Sequence, residues 1–217
     1  MVGNPFFVKE FLKSLERKGI LFFCRENLCW KWSIEEFITD TVSDNVLNLI
    51  VEKIREYDSF MQNFLINASF IGSVFSLDTL KLVNDAPVDI NRLINDGFII
   101  PSDSSNSFRF THDYIRQAVF SIVPTENRNY TYFSLGNLIW KKSSKEEMQE
   151  NILIVARMLN SSLDHLKLEE KKDVSQLNYQ AAEKCILLTA FQPALDFLET
   201  GIELLDQDSW LVDYEFT

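Results

Sequence analysis

The sequence predicts a mainly α protein with a small N-terminal β-hairpin, a winged helix with a β-hairpin wing, and tetratricopeptide-like α-helical hairpins towards its end. Three observations carry that expectation. Residues 97–123 read as a helix end, two short strands joined by a polar loop, and a helix in immediate succession. Apolar residues recur at helical spacing over most of the remaining chain. Eighteen Phe against six Gly suit helix packing better than many tight turns.

Within the central stretch, Gly97 ends a helix and Phe98, Ile99 and Ile100 form a short apolar run. Residues 101–107 are rich in Ser, Asn, Asp and Pro, which is turn chemistry. Phe108, Arg109 and Phe110 alternate apolar and polar, as a half-buried strand does. From Asp113 onward, Tyr114, Ile115, Ala118, Val119 and Ile122 fall on one helical face.

From the start of the chain, Gly3, Asn4 and Pro5 form a turn, and Pro5 at the first helical position pre-sets φ. Phe7, Val8, Phe11, Leu12 and Leu15 mark one face of a helix that Gly19 ends. Residues 20–23 read as a strand, 25–27 as a turn, 28–32 as the returning strand and 34–38 as a connector. Asp44 suits an N-cap for a helix carrying Val46, Leu47, Leu49, Ile50, Val51 and Ile54. Ser59 starts a second helix, with Phe60, Phe64, Leu65, Ala68 and Ser69 to the inside. Residues 70–75, including Gly72, form an aromatic turn. Ser76 caps a third helix, and Pro87 and Asp89 restart the chain into Ile90, Leu93 and Ile94.

After the wing, residues 126–140 and 146–159 read as helices, and 160–173 as a polar, solvated connection. Residues 177–185 open another helix, and 189–198 turn and start one more. Small residues at Ala181, Ala182 and Ala194, with Phe191 and Phe197, suit a closely packed helical hairpin resembling one tetratricopeptide-like unit. One such unit buries little by itself, so more repeats are expected in a parent protein. The ending at residues 213–217 lacks a cap or polar close and reads as a truncation.

The net charge of −11 and a pI near 4.7 argue against nucleic acid, which needs clustered Lys and Arg to displace counterions from phosphates. The helix that would enter a groove, residues 89–96, holds Asp89 and Asp96 against a single Arg92. Cys24, Cys29 and Cys185 are odd in number and at no metal spacing, which suits reduced thiols. No apolar run reaches the ~20 residues that span a bilayer. A signal peptide is not apparent either. No membrane partner is expected, and the chain is placed in the cytoplasm.

His112 and Asp113 are the tempting chemical pair. A metal site would need further ligands, and the other histidine, His165, is distant in sequence. A phosphoacceptor box of the form H-[DE]-x-[RK]-x-P would need its basic residue one place before Arg116 and a Pro that is absent. A general base would need a partnered nucleophile or substrate, and none is identifiable. The expectation is therefore structural: Thr111 or Asp113 caps the helix that leaves the wing, and His112 bonds locally. No catalytic or metal-binding residue is assigned.

The opening GNPFFVKEFLKSLERKGIL, followed by Trp30-Lys31-Trp32, resembles the ATPase-like segment of very large sensor proteins. Those proteins join a serine/threonine kinase, a STAND-type ATPase, a GAF domain and a histidine kinase, linking them to two-component signalling. Members carry patterns like A-A-x-I-G-x-x-F, L-x-x-G-L-I and F-x-H-D-x-x-x-x-A-A. This chain offers residues 68–75 with Gly72, residues 93–99 with Gly97, and Phe110, Thr111, His112, Asp113 and Ala118 in that order. Ser69 stands for a second Ala and Phe98 for a Leu.

The resemblance implies three segments. Residues 1–42 would end a nucleotide-binding module, 43–126 would form the winged helix, and 127–217 an incomplete tetratricopeptide-like region. It places Pro5, in the Gly3-Asn4-Pro5 motif, near the nucleotide of the parent protein. No G-x-x-x-x-G-K-[ST] phosphate loop occurs, so nothing here would hold a triphosphate by the family's mechanism. No cofactor is expected in this chain, and ATP or ADP would belong to the parent. The implied function is a non-catalytic regulatory part of a multidomain signalling ATPase or hybrid sensor kinase. It would couple nucleotide state to domains of the same polypeptide or to a signalling partner. The alternative is a stand-alone helical adaptor binding a protein partner.

Overall fold

The structure, a computed structural model, describes residues 5–17, 19–32, 46–84, 86–104 and 106–205. The chain is mainly α, with small antiparallel β pairings. It divides into two compact units. Met1–Phe75 with Ala86–Ile122 make the first, and Ser76–Asp85 with Val123–Thr217 the second. Among the described residues, no helix is long and apolar enough to cross a membrane.

In the first unit, helix α1 (Pro5–Arg17) ends where Gly19 N–H bonds the Glu16 carbonyl and Ile20 N–H bonds that of Leu15, both at 3.0 Å. This pair of bonds satisfies carbonyls the helix cannot satisfy itself, and buried Leu15 and Ile20 flank it. Strands β1 (Leu21–Cys24) and β2 (Cys29–Trp32) pair antiparallel, with Leu21 opposite Trp32 and Cys24 opposite Cys29. Leu28 belongs to the turn rather than to the returning strand the sequence suggested. Its φ of 48° is left-handed, and its side chain is exposed. The expected connector at 34–38 and the expected cap Asp44 lie outside the described residues.

Helix α2 (Val46–Arg55) buries Ile50 and Ile54. Helix α3 (Ser59–Ile71) starts at Ser59 as the sequence suggests and is capped by Asp58, whose carboxylate accepts from Met61 N–H at 2.9 Å. Phe60, expected inside, lies on the surface. The expected aromatic turn holds a strand, β3 (Val74–Ser76), too short to show a period of two in the sequence. It leads into α4 (Leu77–Val83), which belongs to the second unit. The first unit continues with α5 (Ile90–Asn95), β4 (Ile99–Pro101), β5 (Ser107–Phe110) and α6 (Asp113–Ser121). The strand order is β3-β5-β4, with Ile99 opposite Phe110 and Pro101 opposite Phe108.

The core of this unit is aromatic. Phe75 lies edge-on to both Phe64 and Phe110, with ring centroids 6.2 and 5.4 Å apart. Phe70 packs on Phe120 at 4.6 Å. Each fully buried ring contributes roughly 2–3 kcal/mol relative to exposure. That burial holds the short strands, which have few ladder bonds of their own.

The second unit packs α4 on α7 (Thr125–Lys142), then α8 (Lys145–Asn160), α9 (Lys171–Leu187) and α10 (Phe191–Glu203). Short 3₁₀ turns at Leu163–His165 and Leu168–Glu170 fill the expected polar connection. Ser76 caps α4, and Ser144 caps α8 in a capping box with Glu147. Ala182 and Ala194 are buried where α9 meets α10 and Ala181 is buried as well, but Phe191 lies on the surface. The remaining closeness comes from Gly201, which sits against Ser175 and Asn178.

Candidate functional site

The residues singled out in the central motifs come together at the corner where β5 turns into α6. Gly72 follows α3 with φ 157° and ψ −169°, a conformation essentially reserved for Gly, and its N–H bonds the Ala68 carbonyl at 3.1 Å. The next carbonyl, that of Ser73, accepts Phe110 N–H at 3.2 Å. Gly97, at φ 79°, closes α5, with Gly97 N–H on Ile94 and Phe98 N–H on Leu93. The Phe98 carbonyl accepts Thr111 N–H at 3.0 Å. Three motifs far apart in sequence are thus tied by main-chain bonds on successive residues, Phe110 and Thr111.

A fourth tie was not legible in the sequence. Arg116 Nε donates to the Ser69 carbonyl at 3.0 Å, joining α6 to the last turn of α3. This is the basic side chain that falls one place late for an acceptor box. Here it satisfies a helix-end carbonyl instead.

His112 is the N-cap residue of α6 and Asp113 its first residue. The helix has no side-chain cap bond, which corrects the expectation that Thr111 or Asp113 supplies one. Thr111 is turned inward: its hydroxyl oxygen is buried without a hydrogen-bond partner. Asp113 instead contributes charge in the first turn, where the helix dipole favours an anion. The His112 carbonyl accepts Ile115 N–H at 3.0 Å.

Beside this corner, Tyr57 OH donates to Asp96 Oδ2 at 2.6 Å and Lys53 Nζ to the Asp96 carbonyl at 3.2 Å. Arg92 lies over the Tyr57 ring at 4.9 Å and Lys53 over Phe98 at 5.3 Å. Asp96 would be unfavourable at the C-terminal end of α5 by its charge alone; these donors and cations offset that. The basic residue of the helix that would enter a nucleic-acid groove is therefore packed on a tyrosine ring.

Pro5 opens α1 as the sequence suggests, while Gly3 and Asn4 lie outside the described residues. Next to α1, Val8, Lys9, Leu12 and Lys13 line an open apolar groove with Leu21 and Trp30 of the hairpin. His165, in the second unit, packs against the rings of Tyr130 and Phe133. Among the described residues, no three or more His, Cys, Asp or Glu side chains cluster to hold a metal ion. The convergent geometry at the corner orders backbone; it aims no nucleophile and base at a shared point.

No protein-family model matches the chain, and no solved structure matches it. A curated relative does: the "Hybrid signal transduction histidine kinase G" of Dictyostelium discoideum is 23% identical over 264 residues. The chain spans only 8% of that relative's length, while the match takes in 95% of the chain. Over nearly all of its own length, then, the chain is similar to a small part of a hybrid signal-transduction histidine kinase.

Proposed function

We propose that the chain is a non-catalytic regulatory and interaction part of a multidomain signal-transduction ATPase or hybrid sensor kinase. Residues 43–126 act as a winged helix used for packing rather than for DNA. Residues 1–42 close a STAND-type nucleotide module, with Pro5 near its nucleotide, and 127–217 begin a tetratricopeptide-like stack. The observation that carries this is the corner at Phe110 and Thr111, where segments after α3 and α5 are bonded to the start of α6. The similarity to a histidine kinase over 95% of the chain supports the signalling context.

Such a joint can transmit a change only if it has two arrangements whose balance nucleotide or partner shifts. The test is hydrogen exchange on the polypeptide extended upstream, with and without ATP and magnesium. Protection at 108–116 should change on ATP addition. An extended polypeptide with no phosphate loop, or one whose exchange at 108–116 is indifferent to ATP, would sink the proposal. A second reading, a helical adaptor binding a protein partner, is favoured by the exposed apolar side chains of α9 and α10.

A further inference from the structure

The α9–α10 hairpin buries one face and leaves another apolar and open. Tyr179, Ile186 and Leu187 on α9, and Phe191, Leu195 and Ile202 on α10, are all exposed. On α10 the positions 191, 195, 198 and 202 follow the spacing of one helical stripe. Between the helices runs a groove lined by Tyr179, Ala182, Glu183, Ile186, Leu187 and Leu198. A patch of this kind marks a site for another surface.

Charge specifies what fits. From Ile186 to Leu205 the chain has no Lys, Arg or His, but α10 carries Asp196, Glu199 and Glu203, with Glu199 next to the stripe and Glu203 on the same side of it. Glu183 adds a further carboxylate in the groove. The nearest cation, Lys184, is turned to α8, where its ammonium donates to the carbonyls of Gln149 and Glu150. The chain's own residues 206–217 carry Asp206, Asp208, Asp213 and Glu215 and no Lys or Arg, so they share the sign of the groove.

We propose that the open α9–α10 face docks an amphipathic helix whose apolar stripe is flanked by Lys or Arg. The helix lays its stripe along positions 191, 195, 198 and 202 and sets its cations against Glu183, Glu199 and Glu203. The inference goes beyond the signalling role and does not depend on the joint at Phe110 and Thr111.

The probe is a fluorescent designed helix of about 14 residues, close to the length of α10, with a leucine stripe flanked by lysines. A matched helix flanked by glutamates is the comparison. Anisotropy with the full chain should show saturable binding of the lysine helix and none of the glutamate helix. Leu195→Ser with Ile202→Ser, both on exposed positions, should weaken it at least about tenfold without changing the circular dichroism. Glu199→Lys with Glu203→Lys should reverse the preference towards the glutamate helix. Asp89→Lys with Asp103→Lys, an equal change of charge in the other unit, should leave binding within about twofold. Equal losses from both charge pairs would reduce the effect to net charge and overturn the proposal. So would sedimentation showing a dimer of the chain that Leu195→Ser dissolves, since a second copy would then be the occupant.

Discussion

Asn160 and Asn178 exchange two hydrogen bonds, Asn160 Nδ2 to Asn178 Oδ1 at 2.7 Å and Asn178 Nδ2 to Asn160 Oδ1 at 3.0 Å. The pair locks the end of α8 to the middle of α9. Asn178 is fully buried, and its amide also donates to the Val174 carbonyl at 2.9 Å. Asn178→Ala would remove all three bonds and leave Asn160 short of its partner. A loss of about 2–3 kcal/mol is expected, read as a lower urea midpoint with an unchanged slope. Asn160→Ala should cost less, because Asn160 lies nearer the surface.

Thr111 offers the opposite sign. Its hydroxyl oxygen is buried and unpartnered, while its N–H holds Phe98. Thr111→Val keeps the shape and the main-chain bond and removes the unsatisfied group. Stability should rise by about 1 kcal/mol, visible as a higher thermal midpoint.

How far the sequence could be read follows from the same contacts. Helices were legible because their apolar residues repeat over many turns, as in α8 with Ile152, Val155, Ala156 and Leu159. The ends at Gly19 and Gly97 were legible because glycine is what a left-handed residue favours. Strand β3 was not, since three residues between a helix and a helix cap carry no alternation. The roles of Arg116 and Asn178 were hidden as well, because each acts on a carbonyl or amide in another helix. Exposed Phe191 misled because size and apolarity do not say which face of a helix is covered.

Thr189 occupies a position that usually belongs to glycine. It has φ 58°, its N–H bonds the Ile186 carbonyl at 2.9 Å, and Ala190 N–H bonds that of Cys185 at 2.8 Å. This is the same helix ending as at Gly97, built on a β-branched residue that the left-handed region strains. Thr189→Gly relieves that strain but loosens the unfolded chain, two effects of opposite sign. The strain should win, for a net gain of about 0.5–1 kcal/mol in thermal or urea unfolding.

Cys185 lies in the cluster between α9 and α10, and burial pushes its thiol pKa up, partly offset by the charge of Lys184. The folded chain therefore keeps that proton to higher pH than the unfolded chain does. Its contribution is fully present below the ordinary thiol pKa and is lost as pH rises through the raised value. Stability of the native chain should fall more steeply above about pH 8.5 than that of Cys185→Ala, measured as urea midpoints across pH. Exposed Cys29 should react first with a thiol reagent and buried Cys185 last.

Gly136 sets the spacing of α7 and α8. A Cβ at that position would stand 3.1 Å from Met158 Cβ and 3.3 Å from Leu159 Cδ2. The leucine tip can swing aside, but Met158 Cβ is fixed to its backbone, so α8 itself would have to move. Helix propensity works the other way, favouring Ala over Gly by about 1 kcal/mol. Gly136→Ala therefore sets a gain of that size against a contact that needs a few tenths of an ångström of relief, and the net change should be small. Gly136→Val adds two methyl groups where the first carbon barely fits, and it lacks the full propensity gain. Overpacking of this kind should cost about 2–3 kcal/mol, with a lower urea midpoint as the readout. A Val variant as stable as the parent would show that α7 and α8 can separate freely, and that the glycine does not hold them close.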